Sequence, residues 1–351
     1  MYNFKKPHIF KKEILIASSF AFAFLAWGHS ATAQTVVKSS TAGKGVYEAV
    51  VNEQNGFIYV TSAGSRTQPG GAIYKIHPES LAITDSIIMK ENPPFGLGIN
   101  HKTQTLYTTN TRTHSVSAVD IKTGKVIATF NNGKDNSHTR EVLVDEDNNL
   151  IYISDVGDPS SIWVIDGKTN TYLHSIENTG KTTTGMVLND RKDKMYITNM
   201  GTNEVAVIDL KSHKVEKSFP SGGESPVNLV ADGNHIFVAN QKSGTITVLD
   251  ATSGQVLKSI PTGAGAIGIS YDKKSNRIYS ANRQTGTTTV IDAATYAVLA
   301  DLPTGSHPNN VKVSPQTGAA YVINKAKGGR PVEGQPAPPA DTNGDTITLI
   351  R

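Results

Sequence analysis

Seven near-copies of one short segment dominate this chain: YVTS at Tyr59, YTTN at Tyr107, YISD at Tyr152, YITN at Tyr196, FVAN at Phe237, YSAN at Tyr279 and YVIN at Tyr321. Their starts lie 48, 45, 44, 41, 42 and 42 residues apart. A period of about 40–50 residues, made of β-branched and aromatic runs with turn chemistry between them, is the signature of a β-propeller. Each copy opens the second strand of a unit. A first strand such as NLVAD precedes it, and a third strand ending in aspartate follows it, at Asp120, Asp166, Asp209, Asp250 and Asp292. A turn such as IKTGK then leads into a fourth strand such as QVLKSI. No helical period interrupts the pattern. The fold expected is all-β, a seven-bladed propeller over residues 34–351.

The ends fit that reading. The last unit stops after its third strand, TITLIR, and so lacks a fourth. Near the other end, QTVVKSSTAGKG resembles the fourth strand QVLKSIPTGAG of an inner unit. Thr35–Ser39 is therefore expected to complete the last blade and close the ring, leaving no broken edge. The recurrent Asn and Asp residues are expected to be structural, the Asn through left-handed backbone and local side-chain turns, the Asp by starting the turn after it.

Residues 1–33 read differently. Four lysines precede an uncharged run of 14 residues, Ile14–Trp27, which is short for a membrane span, and Ala31-Thr32-Ala33 follows as a small-x-small site. This predicts a cleaved signal peptide, export to the periplasm and no membrane span afterwards. The chain has no cysteine, so disulfides and thiolate metal sites are excluded. Removing residues 1–33 takes away four lysines and one glutamate, leaving 30 basic and 29 acidic residues. The net charge of +4 for the whole chain thus says nothing about a polyanionic partner, and only the placement of charge can.

The repeated Y-V/I-T-N strand with its V-x-V-I-D partner resembles the YVTN propeller repeats. GKGVYEAVVNEQN, PFGLGINHKTQTLYTTNT, LIYISDVGDPSSIWVIDG and HSIENTGKTTTGMVLND resemble the YncE-like periplasmic proteins. The resemblance implies a periplasmic seven-bladed propeller and makes single-stranded DNA the leading named ligand.

On a propeller, the loops that enter the first strands and those that leave the second strands share one face, here the top. Arg66, Arg112, His138, Arg140, Lys181, Lys242 and Arg283 lie in such loops, with Lys325, Lys327 and Arg330, and outnumber the acids. A positive top face can hold phosphates, with salt-sensitive affinity. Arg112, Arg140, Lys181, Lys242 and Arg283 are expected to neutralise phosphates, and Phe95 or Trp163 to stack a base. Trp163 stands where other units have Ser117, Ala206, Thr247 and Thr289, so its bulk either fills a gap or makes a contact. Aligned first strands place Glu48, Gly96, Glu141, Gly185, Asn228, Gly268 and Asn310 in one ring around the axis. Glu48, Glu141, Asn228 and Asn310 then form a polar channel mouth.

Two other readings stay open. One is a metal-dependent enzyme or small-anion binder at that mouth, using Glu48, Glu141, Arg140 and His138. The other is a protein-interaction scaffold. His114, His138 and His307 share the top face without a sequence spacing that tests their convergence. DTNGD at Asp341–Asp345 opens like a calcium loop but lacks its distal acid. No G-x-S-x-G or H-E-x-x-H motif is present, which favours a binding protein while leaving the enzyme reading open, and no cofactor or metal is assigned. The Gly/Pro-rich stretch 325–344 is expected to be an irregular loop over the top rim. A monomer is expected.

Overall fold

The computed structural model describes residues 1–5, 34–65, 69–328 and 339–351. The chain divides into two units, Met1–Thr32 and Ala33–Arg351. Residues 6–33 of the predicted signal peptide, Arg66 and the middle of the Gly/Pro-rich loop (329–338) lie outside the described residues. Among the described residues, 28 strands form seven four-stranded antiparallel sheets. Six are consecutive meanders: blade 1 over 46–88, blade 2 over 97–130, blade 3 over 139–180, blade 4 over 183–220, blade 5 over 226–261 and blade 6 over 266–303. Blade 7 takes its inner three strands from 307–350 and its outer strand from Val36–Thr41. That outer strand runs antiparallel to Thr346–Ile350, and Thr35 and Arg351 exchange backbone hydrogen bonds at 2.7 and 3.0 Å. The fold and its closure are those the repeat predicts.

Each letter of the motif has its own job. The aromatic residue is buried in every blade and packs toward the next one: Tyr59 with Leu97 and Leu106, Tyr107 with Ile151 and Trp163, Tyr321 with Val46 and Ile58. The residue after it points the other way, because side chains alternate across a strand. Val60 and Ile153 accordingly lie in the clusters shared with the preceding blade. The core is therefore a series of apolar seams between adjacent blades.

The third position ties blade to blade at the axis. Thr109 Oγ1 accepts from the Gly96 N–H of its own blade and donates to the Arg140 carbonyl of the next, both at 2.8 Å. Thr61 and Thr198 make the equivalent pairs of contacts with Phe95 and Val227. Blades 5 to 7 carry Ala239, Ala281 and Ile323 there and are joined without this bridge.

The fourth position corrects one expectation. None of the motif asparagines has left-handed backbone. They are buried instead, and most clamp the third strand through hydroxyls: Asn110 to Ser115 and Ser117, Asn282 to Thr287 and Thr289, Asn324 to Thr346 and Thr348, whereas Asn199 accepts from Thr183 and donates to the Thr179 carbonyl. The aspartates do start turns. Asp250 and Asp292 each accept two backbone N–H groups and a hydroxyl from the residues that follow.

Close approach at the axis makes a test. A Cβ on Gly96 would lie 1.9 Å from the Arg140 carbonyl oxygen and 2.7 Å from Thr109 Oγ1. Gly96→Ala must push blade 3 away and break the Thr109 bridge. The expected loss is about 2–4 kcal/mol in denaturant unfolding.

Candidate functional site at the channel mouth

The inner strands bring the predicted axial ring to one level. Glu48, Gly96, Glu141 and Gly185 donate their backbone N–H groups to the hydroxyls of Thr61, Thr109, Ser154 and Thr198 at 3.1, 2.8, 3.0 and 2.8 Å. Asn228, Gly268 and Asn310 pair with the corresponding residues of their blades. Glu48 is buried. Its Oε1 accepts from Asn310 Nδ2 at 3.2 Å and lies 3.4 Å from Lys312 Nζ, while its Oε2 accepts from the Leu97 N–H at 3.2 Å. Burial first, then the neighbouring Glu141 carboxylate, push Glu48 up to about 8, outweighing Lys312. Burial raises Glu141 as well, opposed by Lys312, by Arg140 and by a hydrogen bond from Asn228.

A cationic layer lies above these acids. Tyr47 precedes Glu48 on the same strand, and Asn309 Nδ2 donates to its carbonyl at 2.8 Å. The Arg140 guanidinium carbon lies 5.3 Å from the Tyr47 ring centre and the Lys325 ammonium 4.5 Å from it. Phe95 meets Tyr47 edge-on, with centroids 5.3 Å apart. Arg112, on a 3-10 turn (Thr111–Thr113), lies 5.2 Å over Phe95 and donates to the Ala63 carbonyl at 2.8 Å. Arg283 belongs to the same group: burial and Arg140 hold it below its ordinary value, with Tyr47 opposing. Burial, then Arg283 and Arg140, push Lys325 down to about 8 against the weaker pull of Asp345. Ring faces attract cations, so Tyr47 and Phe95 gather charges that repel one another. Among the described residues, Arg140, Arg283 and Lys325 take no part in any ion pair. Arg140 Nε is buried without a hydrogen-bond partner.

The other predicted residues fall elsewhere. Trp163 is fully buried between blades 2 and 3, and its indole N–H donates to Asp155 Oδ2 at 3.2 Å. It cannot stack a base. Asp155 and Trp163 replace the Asn and Ser or Thr clamp of other blades, which explains both exceptions together. Lys242 is paired with Glu224 at 2.5 Å on the exposed rim, and Lys181 is an exposed residue packed against Gly201. His138 is held below its ordinary value by burial and by Arg140, and His307 by burial and by Arg283. His114 contacts the Ser137 carbonyl at 2.5 Å. Among the described residues no group of three His, Asp or Glu side chains is placed to hold a metal ion. Asp341 accepts from Ser306 and from the Lys327 and Asn343 N–H groups, so DTNGD is tied into its own loop. Tyr47 and the axial role of Lys325 escaped the sequence reading. Aligning the first strands one residue earlier would have put Tyr47, Phe95 and Arg140 in equivalent places of consecutive blades.

Seven four-stranded blades around a charged axis make this a seven-bladed β-propeller with a cationic mouth at one end. Residues 56–271 match the family model described as YNCE-like beta-propeller, and the chain belongs to that family. It is 36% identical over 210 residues to the protein YncE of Salmonella typhi, and 33% identical over 210 residues to that of Escherichia coli strain K12. These alignments cover 58% of this chain and 56% of each relative, so the chain spans little more than half the length of the curated relatives it matches. Hydrazine synthase of Kuenenia stuttgartiensis shares the fold, with a TM-score of 0.67 over 82% of this chain and 94% of that one at 17% identity. Phe95, Arg112 and Arg140 lie inside the family match, and Tyr47, Glu48, Arg283 and Lys325 outside it.

Two measurements probe the axis. Glu48 has a folded-state value raised from 4.5 to about 8, so its protonated form favours the fold, and stability falls as pH rises through that window. The melting temperature of the wild type is expected to drop by roughly 3–6 °C more than that of Glu48→Gln between pH 5 and 8. Lys325→Met removes a crowded, desolvated charge. It is expected to raise the ligand-free melting temperature at neutral pH by about 2–4 °C, as calorimetry would show.

Proposed function

We propose that this protein is a periplasmic binding protein that takes an anionic ligand at the top mouth of its channel, with single-stranded DNA as the leading ligand. The observation that carries the reading is the gathering of Arg140, Arg283 and Lys325 without a carboxylate partner around Tyr47, with Arg112 over Phe95 beside them. Like charges held together in partial burial are an unfavourable arrangement for an empty site. A bound anion reverses the sign of the interaction. Half-buried Phe95, beside the cations, is the one predicted aromatic left to offer a base a stacking surface. Export rests on the lysine-rich start, the apolar run and the Ala-Thr-Ala site of residues 1–33. Among the described residues no helix is long and apolar enough to cross a membrane.

Fluorescence anisotropy of a labelled single-stranded oligonucleotide across a salt series tests the reading. Affinity is expected to fall steeply with salt, with a log–log slope of about −2 to −3 for three or four neutralised phosphates. Arg283→Ala is expected to weaken binding by about tenfold or more. Lys242→Ala is expected to change it less than about threefold, because Glu224 already neutralises that lysine. Absence of binding by the wild type at low salt would overturn the DNA reading.

A further inference from the structure

The cations of the mouth gather around one ring at the axis, and this arrangement separates two kinds of anion. A strand interior presents one charge per phosphodiester and is best held by cations spaced along a track. Two rim lysines that such a track would use are already paired, Lys134 with Glu177 at 3.3 Å and Lys242 with Glu224 at 2.5 Å. Arg140, Arg283 and Lys325, which take part in no ion pair among the described residues, stand at the axis instead. Arg140 and Lys325 both lie against the single ring of Tyr47, and Arg283 is close enough to act electrostatically on Tyr47, Arg140 and Lys325 alike. Two guanidinium forks and an ammonium offer many donors in a small volume. The floor below is made of the carboxyl groups of Glu48 and Glu141, which follow Tyr47 and Arg140 directly on their strands and offer an anion no cationic donor. An axial site bounded below by carboxyl groups suits a group that enters end-on. An internal diester would have to fold both of its chain ends back out of the same opening.

We propose that the mouth is a socket for a terminal phosphate monoester, gripped by Arg140, Arg283 and Lys325 over Tyr47, with the rest of the ligand leaving upward along the axis past Phe95 and Arg112. Such a group carries a charge of about −1.5 to −2 at neutral pH and three acceptor oxygens, which matches the convergence of three cations better than a singly charged diester does. Arg140 Nε, buried without an acceptor, is one donor it would satisfy. The inference rests on the anion-binding reading of the same mouth and narrows it to one chemical group. That group is found at the end of a nucleic-acid strand and on a free mononucleotide alike.

The experiment compares two labelled single strands of one sequence, about 12 nucleotides long, one ending in a 5′-phosphate and one in a 5′-hydroxyl, at about pH 7.5, where the monoester is mostly a dianion. Calorimetric titrations with a 5′-mononucleotide and with inorganic phosphate run beside them. The phosphorylated strand is expected to bind about 10- to 100-fold tighter, as fits one or two charge-assisted hydrogen bonds. In Lys325→Met and Arg283→Met that ratio is expected to fall toward 1, with circular dichroism and melting showing the variants folded. Equal binding of both strands by the wild type would overturn the socket and leave the DNA reading standing. Binding of the mononucleotide or phosphate but of neither strand would support the socket and overturn the DNA reading. No binding of any probe would overturn both.

Discussion

The hydroxyl of Thr109 holds two blades at a fixed spacing where the ring is narrowest. It accepts from Gly96 in its own blade and donates to the Arg140 carbonyl in the next, and Thr61 and Thr198 do the same at two other seams. These contacts satisfy backbone groups that would otherwise be buried without partners. They also set the distance between inner strands, and so the width of the channel. The apolar seams supply most of the burial, yet apolar packing has no direction of its own. The hydroxyl bridges give it one. Because one bridge ends on Arg140 itself, the same contact that spaces the blades also places a cation of the mouth.

The axis is built against stability. A buried Glu48 pushed up to about 8 sits below a Lys325 pushed down to about 8, and each shift is an energetic cost that the surrounding blades absorb. The two shifts have opposite signs because burial disfavours the charged form of an acid and of a base alike, and like charges, Glu141 for Glu48 and Arg283 and Arg140 for Lys325, add to it. A core designed only to fold would carry apolar residues at these places. Functional sites are where such costs collect. The rim behaves otherwise: Lys134 and Lys242 have exposed acidic partners, so their charges are compensated locally and screened by water.

Much of the architecture was legible because the repeat is physical as well as textual. Seven copies of one strand at a near-constant interval imply seven equivalent seams, and the missing fourth strand at one end had its counterpart at the other. The axial register was also legible, since Glu48, Gly96, Glu141 and Gly185 share one hydrogen-bonding position. Two residues misled. The motif asparagine was read by its turn preference, whereas burial against third-strand hydroxyls decides its role. Trp163 looks available to stack a base in the sequence, although its partner is visible there: YISD is the copy in which aspartate replaces asparagine, and the indole N–H donates to that carboxylate. Tyr47 passed unnoticed because it departs from the other blades in a layer one residue above the aligned ring.

By itself the sequence determined the fold class, the blade count, the closing strand and the residues that face the axis. All of these follow from periodicity and strand alternation, which are local properties repeated along the chain. Only the tertiary structure decided which of many top-face cations act together. Arg140, Arg283 and Lys325 come from three separate blades, and their separations depend on how the ring closes. Whether a charge is paired, as Lys242 is with Glu224, or crowded, as Lys325 is by Arg283 and Arg140, depends on neighbours that are not adjacent in sequence, and on the burial they share. Charge interactions fall off with distance in space and with the dielectric around them, and neither quantity is written in residue order.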